Sequence, residues 1–399
     1  MSDWVSKKIG DIANLYQGLA INAKTKHLLI TESSLPLLRI KDLLEGTQEQ
    51  FVDPKLAPLQ CVVEPNELVM TRTGQVGYVF MGKSGVLHNN CFKITVTDPE
   101  VDTRFLYWHF NSNAQRDYLT TIAAGSVQPD LNHKVFKDYD VLLPPLPEQK
   151  AIASVLSSLD DKIDLLHRQN KTLEAMAETL FRQWFIEEMK EDWEECRLGD
   201  LIEIKGGFSY KGEFIGYGDS LLLGMGCVSF DKRFLGTGAR QYAGTCSERF
   251  YAQTGDIVIA TRQQSDNLPI LGFPAMIPDD YKDKKVIVGT NLYSLKNLSE
   301  MSNHLIFQIL RSKDYRSNII ASAKGSTVRM ITKDAIEDFC FTLPDVENLN
   351  KLELHLDSLA GKLNKNSKQI QTLENLRDTL LPKLMSGEVR VQYQTEQVA

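Results

Sequence analysis

A chain of 399 residues with 42% hydrophobic content is long enough for two or more domains with cores of their own, and no run approaches the roughly 18 apolar residues of a membrane span. Six scattered cysteines without a C-x-x-C pair and seven histidines without H-x-H or H-E-x-x-H speak against a disulfide framework, a zinc ribbon and metal catalysis, so the thiols are expected in the core. Of the net charge of −7, residues 148 to 200 carry −6 (7 basic, 13 acidic), which leaves the flanking regions near balance and open to a nucleic-acid partner.

The opening, MSDWVSKKIGD, lacks the apolar stretch of a secretory leader, and a cytoplasmic protein is expected. The first region then reads as mixed α/β. ELVMTR (Glu67 to Arg72), GYVFM (Gly77 to Met81) and CFKITVT (Cys91 to Thr97) are predicted strands between glycine-containing turns, and RFLYWHFNSNAQRDYLTTIA (Arg104 to Ala123) is a predicted helix with an aromatic face.

Within it GYVFMGKS, Gly77 to Ser84, satisfies the G-x-x-x-x-G-K-[ST] pattern of a phosphate-binding loop. That chemistry needs a glycine-rich loop between a strand and a helix, so that backbone N–H groups and the helix dipole cradle phosphates. Here the intervening residues are themselves strand formers, and GVLHNNCFKITVT leads into another strand. A turn at Gly82 to Gly85 is the expected structure, and an NTPase working through Lys83 is the enzyme alternative.

At VLLPPLPEQ, Val141 to Gln149, prolines hold the chain extended and Pro147 can open a helix. A heptad seam comes next: Leu156, Leu159, Ile163, Leu166, Asn170, Leu173, Ala177, Leu180 and Trp184, spaced alternately by three and four. The next region repeats the mixed pattern. DIVIATR (Asp256 to Arg262), KVIVG (Lys285 to Gly289) and NLYSL (Asn291 to Leu295) are predicted strands, and HLIFQILRSKDYRSNII (His304 to Ile320) is a predicted helix. FTLPDVEN, Phe341 to Asn348, then opens a second seam of Leu356, Leu359, Leu363, Asn366, Ile370, Leu373, Arg377, Leu380 and Leu384.

Subtracting 200 lays the second seam on the first, with identities such as Leu156/Leu356, Lys162/Lys362, Gln169/Gln369, Glu174/Glu374 and Leu180/Leu380. Gly125-Ser126/Gly325-Ser326 and Leu143-Pro144/Leu343-Pro344 keep that offset. Trp4/Trp193 and Gly10-Asp11/Gly199-Asp200 lie at 189, and Thr71-Arg72/Thr261-Arg262 at 190. The chain is thus read as two copies of a unit, a variable region followed by a long helix. If the helices run antiparallel, the pairs 156/380, 163/373, 166/370, 170/366 and 173/363 all sum to 536, and Asn170 meets Asn366. A buried polar pair of this kind fixes register, because slipped registers strand an amide without a partner.

The run PPLPEQKAIASVLSSLDDKIDLLHRQNKTLEAMAETLFRQWF (144 to 185) and the closing LLPKLMSGEVRV (380 to 391) resemble the two conserved regions of the DNA specificity (S) subunit of type I restriction-modification enzymes. The openings with Trp4 and Trp193 and the Thr-Arg strands near Arg72 and Arg262 are similar to that family's target recognition domains, so the resemblance spans essentially the whole chain. It implies an α+β fold, with two globular mixed α/β target recognition domains separated by a long antiparallel two-helix coiled coil in a pseudo-twofold internal repeat. The corresponding boundaries are 1–147, 148–190, 191–345 and 346–390, with a C-terminal tail of 391–399.

The resemblance further implies a noncatalytic subunit that binds a bipartite, asymmetric site on double-stranded DNA, one half per recognition domain. Two methyltransferase (M) subunits would bind S-adenosylmethionine, and restriction (R) subunits would bring ATP and Mg; this chain itself would hold no cofactor or metal. A 25-residue helix spans roughly 38 Å, close to one turn of B-DNA at about 34 to 36 Å. Base-edge reading favours Arg, Lys, Asn, Gln, Ser and Thr on protruding loops. That singles out Arg72, Thr73, Gln75, Ser126, Gln128, Asn132 and Lys134 in the first domain. In the second it singles out Arg262, Gln263, Gln264, Lys324, Ser326, Thr327, Arg329 and Lys333. A free-standing tandem DNA-binding regulator is the other alternative; it would bind DNA tightly without partners.

Overall fold

The computed structural model describes residues 3–125, 129–188, 190–191, 193–230, 232–263, 270–325 and 328–392. The chain divides into two compact units, Met1–Ile163 with Thr372–Ala399, and Asp164–Gln371. Each is built on an antiparallel four-stranded sheet backed by a pair of short helices and by turns of the two long helices.

In the first unit the sheet runs in the order β1 (Ala13–Gln17), β4 (Cys91–Val96), β2 (Leu68–Thr71), β3 (Val79–Phe80). All four residues of β2 are buried, as expected of a central strand covered on both faces. The predicted helix over 104–123 is two helices, α1 (Thr103–Asn111) and α2 (Asn113–Ile122). The break lies at Ser112, whose backbone is extended and whose Oγ accepts the Gln115 N–H at 3.3 Å. An N-cap therefore interrupts an amphipathic pattern that continues across it. Phe105, Leu106, Trp108 and Phe110 of α1 bury against the sheet, Ile152 and Leu156 of a long helix, and Leu381 and Leu384 near the chain's end. A short helix, α3 (His133–Lys137), precedes that long helix, α4 (Leu146–Arg182). Helix α4 begins one residue before Pro147, which sits in the first turn where a missing N–H costs nothing. Its Glu148, with a fully buried side chain, is held by two bonds from Arg390, the Nη2 one at 2.7 Å.

The segment Gly77–Ser84 is β3 and a turn at Gly82 (φ 71°), followed by strand Gly85–Leu87. No helix follows to complete a phosphate cradle, so the P-loop pattern and Lys83 carry no nucleotide site.

In the second unit the sheet runs β5 (Ile202–Gly206), β8 (Leu292–Asn297), β6 (Ile257–Ala260), β7 (Pro274–Met276). A second four-stranded sheet, which includes Ile215–Leu223 and Lys285–Val288 as a parallel pair, has no four-stranded counterpart among the described residues of the first unit. The predicted helix over 304–320 is again two, α5 (Asn303–Ile309) and α6 (Lys313–Ser322), and Ser312 caps the second as Ser112 does. After α7 (Lys333–Glu337) comes α8 (Val346–Met385). Ala177, Phe181 and Phe185 share a core with Leu352, Leu356 and Leu359. Asn366 Nδ2 donates to Asn170 Oδ1 at 2.9 Å, both side chains half-buried.

Three cysteines, Cys61, Cys91 and Cys227, are buried; Cys340 is exposed and Cys196 and Cys246 are intermediate, so only half of the thiols lie in the core. Cys196 and Cys340 lie on the two-stranded pair of Glu194–Arg197 with Cys340–Leu343, none of whose residues is fully buried.

Candidate nucleic-acid interface

Two loops meet beyond the end of β2. The chain after Thr71 is fixed by the ladder: Leu131 N donates to the Arg72 carbonyl at 2.9 Å, and Thr73 bridges Asp130. Side chains reinforce the backbone. Arg72 Nε and Nη2 reach the two oxygens of Asp130 at 2.9 and 2.6 Å, its Nη1 reaches Gln17 Oε1 at 2.5 Å, and Thr73 Oγ1 donates to Asp130 at 2.8 Å. The Arg72 hydrogen bonds, joined by that of Thr73, hold the Asp130 carboxyl below the usual carboxylate range. Nearby His133 is pushed down by burial, with the Arg72 charge adding to the effect.

The remaining candidates of the first unit are dispersed around this pair. Gln75 and Lys134 are exposed, whereas Asn132 is the N-cap of α3, its Oδ1 accepting the Val135 N–H at 3.0 Å. Ser126 and Gln128 lie outside the described residues.

The second unit repeats the backbone but not the side-chain lock. Ile331 N donates to the Thr261 carbonyl, and Arg262 and Gln263 pair with Met330 and Arg329. By these bonds Arg72 corresponds to Thr261 and Thr73 to Arg262, an offset of 189. The two Thr-Arg dipeptides, matched at 190 by letter, are thus one residue out of structural register. Arg262, Lys324 and Arg329 are exposed, and among the described residues no acid pairs with Arg262. Lys333 is committed elsewhere, its Nζ bonding the Ile204 carbonyl on β5 at 2.6 Å. Gln264, Ser326, Thr327 and the Gln263 side chain lie outside the described residues.

Sequence reasoning missed three participants. Asp130 and Gln17, which hold Arg72, stand 58 and 55 residues from it, with no local signal. The third is an arginine on the second short helix of each unit. Arg116 lies 4.4 Å from the Tyr78 ring centroid, and Arg316 lies 5.2 Å from Phe230 and 5.8 Å from Phe273. The signal was available, because Arg116 and Arg316 are identical at the 200 offset.

Among the described residues no cluster of His, Cys, Asp and Glu could hold a metal ion, and no helix is long and apolar enough to cross a membrane. The arrangement offers polar loop residues and exposed cations beside a rigid sheet, which suits recognition.

A model of the type I restriction modification DNA specificity domain matches the chain twice, over residues 1–175 and 190–375. The chain belongs to that family. Its role is sequence specificity, not catalysis. It is 26% identical over 436 residues to the type I restriction enzyme MjaIX specificity subunit of Methanocaldococcus jannaschii, covering 98% of this chain and 94% of the relative. The MjaVIII specificity subunit of the same organism is 24% identical, covering 98% and 93%. The fold is that of the solved S subunit of the type I restriction-modification system from M. genitalium, with a TM-score of 0.62, 17% identity and 96% of each chain covered. This chain is thus mixed α/β, with two specificity-domain matches and two long helices.

Proposed function

We propose that each unit of this specificity subunit reads one half of a bipartite, asymmetric site on double-stranded DNA. The observation that carries the reading is the doubled family match combined with loops that share a backbone and differ in side chains. One ladder presents Arg72 and Thr73 in the first copy and Thr261 and Arg262 in the second, as two different half-sites require. Target recognition domains over 1–147 and 191–345, conserved helices over 148–190 and 346–390, and a tail over 391–399 describe this division. The long helices α4 and α8 form an antiparallel coiled coil in a pseudo-twofold repeat, and the Asn170–Asn366 hydrogen bond supports a fixed register. Base contacts are assigned to the exposed Gln75, Lys134, Arg262, Lys324 and Arg329, and, from the sequence alone, to Ser126, Gln128, Gln263, Gln264, Ser326 and Thr327. Two M subunits carrying S-adenosylmethionine dock on the chain in the cytoplasm, and R subunits add ATP-driven chemistry.

Sequencing the methylome of cells in which residues 1 to 143 are exchanged for a relative's first domain tests this. One half of the methylated motif should change and the other half should persist. A chimera that alters both halves together, or neither, would sink independent reading.

A further inference from the structure

We propose that Arg116 and Arg316 are a matched pair of phosphate-binding residues, one in each unit, which grip the DNA sugar-phosphate backbone beside the base-reading loops. The inference rests on the DNA-reading function proposed above and adds residues that the polar-loop pattern did not reach.

Four observations carry it. Each arginine stands on the helix that leads into a reading loop: α2 runs into Ala124, which bridges Asp130, and α6 runs into Lys324, which bridges Met330. Each guanidinium lies by an aromatic side chain, Tyr78 in the first unit and Phe230 with Phe273 in the second. Tyr78 and Phe273 are themselves equivalent, since their carbonyls accept the N–H groups of Thr71 and Ala260 at the ends of β2 and β6. Finally, neither arginine forms a salt bridge among the described residues, and each is only half-buried. Arg116 has one long contact, Nη1 to Asn113 Oδ1 at 3.5 Å.

A half-buried cation with no acid to neutralise it is costly unless something outside the chain completes it. Resting a guanidinium on a ring fixes its plane and leaves N–H edges free, which suits the fork geometry of a phosphate. Among the neighbours of Arg316, Arg233 donates to His304 Nδ1 at 2.9 Å and Arg311 to the Phe230 carbonyl at 3.2 Å.

The choice of ligand follows from the repeat. The reading loops have diverged between the units, while the arginine is identical and the equivalent ring stays aromatic, Tyr78 in one and Phe273 in the other. Two half-sites of different sequence have the phosphate backbone in common, and phosphate contacts position a protein without reading bases. A shared acidic surface on a partner protein is the competing occupant. Against it stands the seat of Arg116 on the reading loop itself: a Cβ added at Gly77 would lie 3.3 Å from Arg116 Cγ.

The test uses the assembled methyltransferase complex, with cognate and scrambled duplexes titrated across a range of NaCl. Arg116→Gln and Arg316→Gln should each weaken both duplexes alike, by roughly three- to tenfold, and lower the slope of log affinity against log salt by about one. The double variant should lower it by about two. Arg116→Lys, which keeps the charge and the aliphatic stem, guards against misfolding: it should keep the slope and bind both duplexes about two- to threefold more weakly, and wild-type affinity in this variant would overturn the proposal. Three other results would also overturn it: an unchanged slope in the glutamine variants, a relaxed base in the methylated motif, or loss of M-subunit co-purification at normal stability. A wild-type complex that methylates no bipartite site would remove the DNA-reading function and this pair together. A normal wild-type motif with unaffected variants would remove the pair alone.

Discussion

The loop after the central strand carries an arginine in both units, but the surroundings differ. In the first, Arg72 is clamped by Asp130 and Gln17 and is only 22% exposed as a side chain. In the second, the residue that bridges the loop at the place of Asp130 is Met330, so Arg262 points to solvent. The junctions differ in the same sense: Glu148 is buried against Arg390, while at the second junction Asp345 caps the long helix, its Oδ1 accepting the Asn348 N–H at 3.0 Å. The two arginines stand at successive places of the shared ladder, Arg72 at that of Thr261 and Arg262 at that of Thr73, so the ladder holds a closed cation at one place and an open one at the next. Recognition surfaces can diverge this way without disturbing the sheet beneath them.

The largest effect is expected at the junction. Arg390→Ala leaves the buried Glu148 carboxylate uncompensated, which should cost the first unit about 3 kcal/mol, discounted for the partial exposure of Arg390. Hydrogen exchange should accelerate at β2 and β4 and not at β6 and β8. Equal acceleration in both units would break the contrast. Replacing both residues by leucine should recover most of the loss.

Exchanging the loop partners comes next. Met330→Asp places a carboxylate across from Arg262 and should close the open loop, weakening DNA binding by the assembled complex about tenfold, within the range for a lost arginine contact. The reciprocal Asp130→Met should free Arg72 and alter the methylated motif only in the half read by the first unit. If the two exchanges weaken binding equally and leave the motif intact, partner choice is not what distinguishes the loops.

Much of this was legible in sequence. The strands ending at Thr71 and Ala260 stood out as β-branched and aliphatic runs, and the seams stood out because a period of 3.5 survives for four heptads. The helix breaks at Ser112 and Ser312 did not, because the amphipathic pattern runs on through them while only a side-chain cap signals the turn. The one-residue slip between the Thr-Arg pairs was invisible for a different reason: letters align by identity, whereas strands align by which carbonyl receives which N–H. The Arg72–Asp130 clamp was out of reach because it joins residues far apart in the chain, with no periodicity linking them. The Arg116/Arg316 identity was present but lay on helices, where loop-based reasoning did not look.

A smaller effect is expected where α4 and α8 approach each other within the second unit. Asn170→Leu leaves the amide of Asn366 facing an apolar neighbour, at a cost of about 1 kcal/mol, near the low end for an unsatisfied group because both side chains are half-buried. Changing both to leucine should recover it by chemical denaturation. A double variant as unstable as the single would mean that the amides are not coupled.

The smallest effect is the pH response of the closed loop. Hydrogen bonds from Arg72 lower the Asp130 pKa in the folded chain relative to the unfolded one. The stabilisation is therefore complete above the unfolded value of about 3.9 and is lost as pH falls through the folded value, so the window lies below about pH 4. Asp130 is 36% exposed as a side chain, and solvent screening limits the contribution to about 0.5 kcal/mol. Because other carboxylates of the first unit titrate in the same range, the informative quantity is the stability difference between the wild type and Asp130→Asn. Arg72 can still donate to the amide oxygen of that variant, so the packing is preserved and only the titrating charge is removed. The difference should be steady from neutral pH to about pH 5 and shrink toward zero below about pH 4. A difference that persists unchanged into acid would assign the clamp's contribution to hydrogen-bond geometry alone, and would remove charge as the feature that separates the closed loop from the open one.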